Sequence, residues 1–564
     1  EYEYPFLESL RSLLPLVDEL VINVGQGTDS TLECVQEFAR TEGQGKCVVF
    51  ESVWPLNDPE KKKSGLILSE QTNLALARCT GDWCVYLQAD EVLHEADVPV
   101  LKAHLWHYRD DTQIEALVFD YVHLYGSFDV EQYTRSAYRR EVRAIKRASG
   151  LRSVGDAQSF RKSDGGKPQA VLSGVRIFHY GWVRSPEAMR EKTMFMDQLY
   201  HGVVQSGLET PHTGDNYKYK KFIGLRPYVG THPAVMRDRI KQKGWHWDLS
   251  HSPFIWTWGD LKKIVLDFIE RITGKRLFEY RSYRLFPESF QKRAAVVVTT
   301  YNNTRALDLC LRSLAAQSSQ NFDLYIADDG STDETKKLIE GFRYVFACKI
   351  EHVWHADQGY RKSVINNEVF RRINPLTHPV VICIDGDTFV HPRFVEDHLS
   401  MHQYQSELMF MGRRIDLSPE LTAHVTPQNV KSFAKGVSIS LFVSCLKGQT
   451  RGLMRAMRIS NRFFQKIFKR DRVSDLLGSN FSISTTVLHR VNGYNEDYQS
   501  YWGEDGDLFI RVRNSGAKIC GLKSYAIQFH LFHKRLEPTG EHQARYSELL
   551  ARPDYVRCER GIVR

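Results

Sequence analysis

No two of the ten cysteines stand as a C-x-x-C pair; they lie apart at Cys34, Cys47, Cys79, Cys84, Cys310, Cys348, Cys383, Cys445, Cys520 and Cys558. That spacing argues against zinc knuckles and a disulfide frame and fits a reducing compartment. No apolar run reaches membrane-spanning length and no signal peptide opens the chain, so a soluble or surface-bound protein is expected. A glycine- and arginine-rich phosphate loop is missing after the strongest strand: "TTYNNTRALD" offers only Arg305, which sets a nucleotidyltransferase aside. Basic residues are not interleaved with a base-stacking platform, so no nucleic-acid partner is expected. What is present is ordinary for a globular protein: 564 residues, 42% hydrophobic, 26% charged, net charge +8. The length implies more than one core.

Three stretches recur in the same order about 300 residues apart. "LRSL" stands at 10–13 and 311–314, "DELVINVGQGTDST" at 18–31 answers "FDLYIADDGSTDET" at 322–335, and "VYLQADEVLHE" at 85–95 answers "ICIDGDTFVHP" at 382–392. A duplicated domain is the reading. Ala294–Thr300 is a continuous β-branched run, as in a strand buried on both faces. Helix 307–314, strand 323–327 and helix 333–341 follow, a βαβ series that implies a mainly parallel sheet. The first half opens already at a helix, so its counterpart of strand 294–300 is expected before residue 1. In "DLKKIVLDFIERITGK", Leu261, Ile264, Val265, Phe268 and Ile269 share one face, expected to pack the first domain.

In open parallel sheets ligands bind beyond the carboxyl ends of the strands. Thr299–Asn303, Asp328-Asp329-Gly330-Ser331 and Asp385-Gly386-Asp387 converge there. Clustered acids repel unless a cation or sugar hydroxyls compensate them, and hard divalent ions take oxygen ligands shared with phosphate. Asp385 and Asp387 are therefore candidate metal ligands, although an Asp-Gly turn alone is common. Glu504 and Asp505 precede a helix, where a carboxylate either accepts a proton or simply caps. His530 and His533 close a strand and could return to the metal.

"VVTTYNN", "DDGSTDET", "DQGYRKSVINNEV", "IDGDTFVHP", "GYNEDYQSYWGEDGDLFIRV" and "FHLFH" resemble, in order, the motifs of family-2 glycosyltransferases with the GT-A fold. The closing segment also resembles the galactosyltransferase-type carboxyl-terminal module and chondroitin-polymerase-like enzymes. The resemblance implies an α/β fold class with two GT-A-like, nucleotide-binding domains in tandem: 1–200, a helical and loop extension at 201–288, and 289–564. It implies Mn²⁺ or Mg²⁺ at Asp385, Asp387 and His530 or His533. The nucleotide-sugar donor, UDP-linked on this reading, would contact Thr300, Tyr301, Asn302, Asp328, Asp329, Arg361, Asn366, Asp385 and Trp502. Asp505, with Glu504 beside it, would be the base of an inverting transfer.

The first half resembles a bacterial branch linked to surface-polysaccharide and lipopolysaccharide assembly, through "YPFLESLRSLLPLVDELVINVG", "QADEVLHE", "IFHYGW" and "RPYVGTHPAVM". It departs where Val24 and Gly25 replace the Asp pair and Gln88 replaces the first acid of D-x-D. That leaves Asp90, Glu91 and His179 for metal and Asp156 as a candidate base. The expectation is a bifunctional enzyme building a capsule, O-antigen or lipopolysaccharide. The alternative keeps one active site and makes the first domain a docking module for glycan or lipid carrier. The basic segment 447–472 reads as an amphipathic helix on a membrane, packed on the core, or serving as an active-site flap. With it comes the expectation of a cytoplasmic protein, peripheral on the inner membrane face.

Overall fold

The computed structural model describes the chain except residues 1–2, 56–57, 59–60, 62–64, 134–136, 202–216, 229, 250–253, 255, 257, 274–275, 277, 288–291, 403–407, 451–452, 459–477, 500–502, 523–524, 535–546 and 564, and the side chains of 197–201, 258–259 and 271–273. The chain divides into two units, Glu1–Ser289 and Phe290–Arg564.

In the second unit, Ala294–Thr300 sits in a seven-stranded sheet between Phe322–Asp328 and Val380–Asp385, parallel to both. Ile350–Trp354 extends the parallel edge, and Asn480–Ser484 turns antiparallel against Val380–Asp385. The apolar run has two sides to fill. Val296 and Val298 join one core with Leu307, Leu311 and Leu314, while Ala295 and Val297 join another with Ile365 and Val369. The helices run Thr304–Ala315, Asp333–Phe342 and Lys362–Arg372, the first two within a few residues of the expected bounds. A three-stranded side sheet sets Gln528–His530 between Thr388–Val390 and Arg414–Asp416.

The first unit is also α/β. Leu20–Gly25 and Cys47–Ser52 pair in parallel, as do Phe322–Asp328 and Ile350–Trp354. In its larger sheet Gln169–Trp182 and Ala116–Tyr125 are parallel, but most other pairs are antiparallel. One cause is local. Gly126, at φ +67°, reverses the chain directly from Ala116–Tyr125 into Ser127–Gln132, with Trp247 against the space a side chain would need.

The helix Trp258–Thr273 forms, but its apolar face does not pack as expected: Leu261, Ile264, Val265 and Phe268 are exposed. The polar side holds it instead, through buried Asp260 and through Glu270 paired with Arg139 and Arg276.

Candidate active site

The D-G-D turn is built by a close approach. Gly386 N donates to Thr299 O at 2.7 Å, and a Cβ on Gly386 would lie 3.1 Å from that oxygen and 3.2 Å from Thr300 Cβ. Glycine therefore lets the turn press on the end of Ala294–Thr300, with Asp385 on one side and Asp387 on the other. Beyond it, Thr388 pairs with His530 across the side sheet, which brings the histidine to Asp387.

Asp387 Oδ2 lies 3.4 Å from His530 Nε2 and 3.0 Å from His533 Nε2. Asp416 Oδ1 stands 3.2 Å from His530 Nδ1, so the other ring nitrogen faces Asp387. Asp387 Oδ1 is buried without a hydrogen-bond partner. Potential ligand atoms of Asp387, His530 and His533 all lie within 4.8 Å of one another. Burial opposes charge on Asp387, yet the two imidazoles hold it well below the usual carboxylate range. Hydrogen bonds to Asp387 raise His533, and those to Asp387 and Asp416 raise His530 against its burial. One carboxylate, two imidazoles and an orphaned oxygen fit a divalent cation such as Mn²⁺.

Asp385 turns the other way. Its Oδ1 lies 3.5 Å from Lys362 Nζ, and the same ammonium reaches Asp505 Oδ2 at 3.3 Å and Glu504 Oε1 at 3.5 Å. Asp505 and Glu504 open the helix Glu504–Asn514. Tyr494 Oη donates to Asp505 at 2.9 Å and Tyr360 Oη to Glu504 at 2.8 Å. Glu504 Oε2 is buried with no partner. Burial pushes Asp505 up to about 6, with Lys362 pulling against it and Glu504 adding to the rise. A carboxylate that titrates near neutrality suits proton acceptance. Lys362 was missed in the sequence because "GYRKSV" carries no sign of what its helix faces. Only the fold sets its charge among three acids.

The other expected residues divide. Asp328 is fully buried; its oxygens accept from Ser331 N at 2.8 Å and face His352 Nε2 at 2.8 Å. These contacts brace the loop that follows the strand. Asp329 meets His355 Nε2 at 2.8 Å and accepts from Arg361 N at 2.9 Å. Asn366 bonds Thr299 Oγ1 and its own helix, so it too is a brace. Asn302 N donates to Ser331 Oγ at 2.8 Å, and Tyr301 Oη donates to Asp357 at 2.9 Å. Thr300 lies buried under Gly386. Arg361 keeps a buried Nε without a partner. Trp502 lies outside the described residues.

Residues 295–480 match Glycosyl transferase family 2, and residues 458–534 match the family described as N-terminal domain of galactosyltransferase. Over these residues the chain is similar to family-2 glycosyltransferases. Validoxylamine A glucosyltransferase of Streptomyces hygroscopicus subsp. jinggangensis is 31% identical over 110 residues, 19% of this chain and 25% of that protein. Chondroitin synthase of Escherichia coli is 21% identical over 290 residues, 48% of this chain and 38% of that one. Hyaluronan synthase of Pasteurella multocida is 22% identical over 254 residues, 42% and 25%. The chain thus spans well under half the length of these relatives. Among solved structures, S. aureus TarS 1-349 in complex with UDP-GlcNAc aligns at TM-score 0.32 and 17% identity, covering 46% of this chain and 66% of that one. Mannosyltransferase PcManGT from Pyrobaculum calidifontis, in complex with GDP-Man and Mn²⁺, aligns at TM-score 0.30 and 15% identity, covering 50% and 66%.

The first unit repeats the register of the second unit with different chemistry. His179 stands opposite Glu91 as His530 stands opposite Thr388. His123 holds the position of Asp416, its Nδ1 3.1 Å from His179 Nδ1. Burial depresses His179, and burial beside His179 takes His123 down to about 3. Asp90 Oδ2 meets Lys192 at 3.2 Å and Arg184 at 3.4 Å, while His179 is 3.8 Å from Oδ1. Burial disfavours its charge, but Lys192, His179 and Arg184 keep it ionised. Glu91 is taken by Arg143 in a buried pair at 2.8 Å and by Tyr121 Oη at 2.7 Å. Where His533 stands in "FHLFH", "FHYGW" has Trp182. Among the described residues the expected ligands Asp90, Glu91 and His179 do not form a metal-type cluster. Cationic side chains already stand beside both acids. Gln88 is partly exposed and serves through its backbone, to Ser9 and Glu91. Asp156 accepts from Gln158 N at 3.2 Å in a hairpin turn.

Proposed function

We propose that the unit Phe290–Arg564 transfers a sugar, with inversion, from a UDP-linked donor to a hydroxyl of a bacterial surface polysaccharide or lipopolysaccharide. Asp505 accepts the acceptor's proton as the new bond to the anomeric carbon forms and the bond to the nucleoside diphosphate breaks. Lys362 positions Asp505 and Asp385 and balances their charge. Glu504 is fixed by Tyr360 and supports the pair. Asp387, His530 and His533 would hold Mn²⁺ or Mg²⁺, which supplies Lewis-acid stabilisation of the departing diphosphate. Asp329, Tyr301, Asn302 and Arg361 line the strand ends where the nucleoside would lie. The observation that carries this reading is the convergence on one strand end: Asp387 with two histidines, and Asp385 sharing an ammonium with Asp505. The names of the polysaccharide synthases it resembles support the acceptor class.

For the first unit the sequence favours a second active site. The neutralised Asp90 favours the other reading, a module that docks glycan or carrier. The full chain is assayed against a panel of UDP- and GDP-sugars with Mn²⁺, alone and with oligosaccharide acceptors. Loss of turnover in Asp387→Ala and in Asp505→Ala supports the assignment, and retained transfer in both overturns it. Loss of one specific linkage in Asp90→Asn would restore the bifunctional reading.

A further inference from the structure

Between Glu420 and Asp471 the chain runs for fifty residues without a carboxylate, and those fifty include ten lysines and arginines. The described part of this run folds as the helices Val430–Phe433 and Ile439–Leu446 and a turn at Leu453–Arg455. Of the amphipathic helix expected at 447–472, only 447–450 and 453–458 are described, and these hold the turn Leu453–Arg455 and no longer helix; the rest lies outside the described residues.

The inner side is anchored. Val430, Phe433, Ala434, Leu441 and Ala456 are buried in one core with Phe389, Ile415 and Phe529. The outer side is apolar as well. Ile439 is 85% exposed, Leu446 72% and Met454 58%, and Val437, Phe442, Val443 and Met457 are exposed beside them. Single exposed apolar residues are ordinary, but seven within twenty-one positions form a patch that calls for a partner. Lys431, Lys435, Lys447 and Arg455 are exposed among them. Carboxylates beside this run are Glu420, which Lys447 helps to keep charged, Asp416, on the strand whose Arg414 carbonyl accepts from Arg455 at 3.4 Å, and Asp397, paired with Arg458. That strand carries the Asp416–His530 contact, so the patch adjoins the candidate metal site.

We propose that this face, made by Val437 to Lys447 with Met454 to Met457, docks on an anionic lipid leaflet. Ile439, Phe442, Leu446 and Met454 enter the headgroup layer while the lysines and Arg455 meet lipid phosphates. A soluble polyanion would use the cations and leave the protruding aliphatic side chains in water. A symmetric second copy would set the same cationic rim against itself. The leaflet alone uses both features. It would also hold the acceptor side of the transferase near a lipid-borne glycan.

The test is co-sedimentation of the full chain with vesicles of phosphatidylcholine, with and without phosphatidylglycerol. Binding is expected only with phosphatidylglycerol and should weaken as salt rises. Lys435→Ser with Lys447→Ser should weaken it by about fivefold per cation. Ile439→Ser with Leu446→Ser should weaken it by about tenfold or more even at low salt, because inserted apolar area is lost. Both pairs are surface changes, so melting temperature and donor turnover in solution should match the parent protein. Equal binding to both vesicle types, or to neither, overturns the proposal. So does binding that inorganic polyphosphate abolishes while Ile439→Ser with Leu446→Ser leaves it intact, which would mark a polyanion site. Lipid-free dimerisation that the same pair abolishes would assign the face to a second copy.

Discussion

Asp90 and Asp387 occupy one position of a repeated register, and their neighbours give them opposite tasks. Asp387 meets two imidazoles that can give up protons and keeps one oxygen unsatisfied. Asp90 meets a lysine and an arginine, with His179 a little farther away. Imidazoles can give up a proton and hold a divalent cation, whereas ammonium and guanidinium groups repel one. Behind the histidines the difference recurs, with Asp416 orienting His530 and His123 facing His179. A carboxylate strengthens a ligand histidine; a second imidazole at that distance opposes its protonation. A shared strand pairing thus does not imply a shared chemistry.

The sharpest way to break the comparison is the pair Asp387→Ala and Asp90→Ala. The first should lower Mn²⁺-dependent donor turnover by about a thousandfold, the loss of several kcal/mol of leaving-group stabilisation. The second should leave that turnover in place and cut stability by about 3–5 kcal/mol, since Lys192 and Arg184 would be left without their shared counter-charge. A urea melt reads the second effect. If the two variants exchange these outcomes, the units have been assigned the wrong way round.

Asp505→Asn should reduce transfer by about a hundredfold or more, the usual contribution of a general base. The pH profile sharpens this. Asp505 must be ionised to accept a proton, and burial puts its midpoint at about 6. Turnover should therefore fall as pH drops through about 6, and the residual activity of the Asn variant should lack that limb. Lys362→Met should act less severely and move the same limb to higher pH, because removing the ammonium leaves Asp505 facing Asp385 and Glu504. An unmoved limb would show that Lys362 does not set the state of the base.

The smallest effect tests packing. Gly386→Ala sets a methyl 3.1–3.2 Å from Thr299 O and Thr300, so the turn must shift by a few tenths of an ångström. A loss of about 1–3 kcal/mol in stability is expected. Ala89 fills the matching place in the first unit's repeat, and its replacement by Gly should not improve metal binding there.

Local pattern made much of this legible. The run at Ala294–Thr300 declared a strand covered on both sides, and "ICIDGD" declared a strand ending in acid. The resemblance suggested His530 or His533 beside the acids, and the fold sets both within 3.4 Å of Asp387. Long-range partners were not legible. Lys362 and Tyr494 reach the acid pair from 143 and 11 residues away, and Asp416 reaches His530 across the side sheet. The helix Trp258–Thr273 misled because its apolar stripe is real but its attachments are buried Asp260 and half-buried Glu270.

By itself the sequence determined the class of the fold and the acids at the strand ends. Each of these follows from residue type and from periods of two or 3.6 positions, which neighbours along the chain enforce. Tertiary structure alone decided which acids stand beside imidazole and which beside ammonium. The charge state of a carboxylate depends on groups within a few ångströms, and those groups come from strands and helices as far as 143 residues away, as Lys362 is from Asp505.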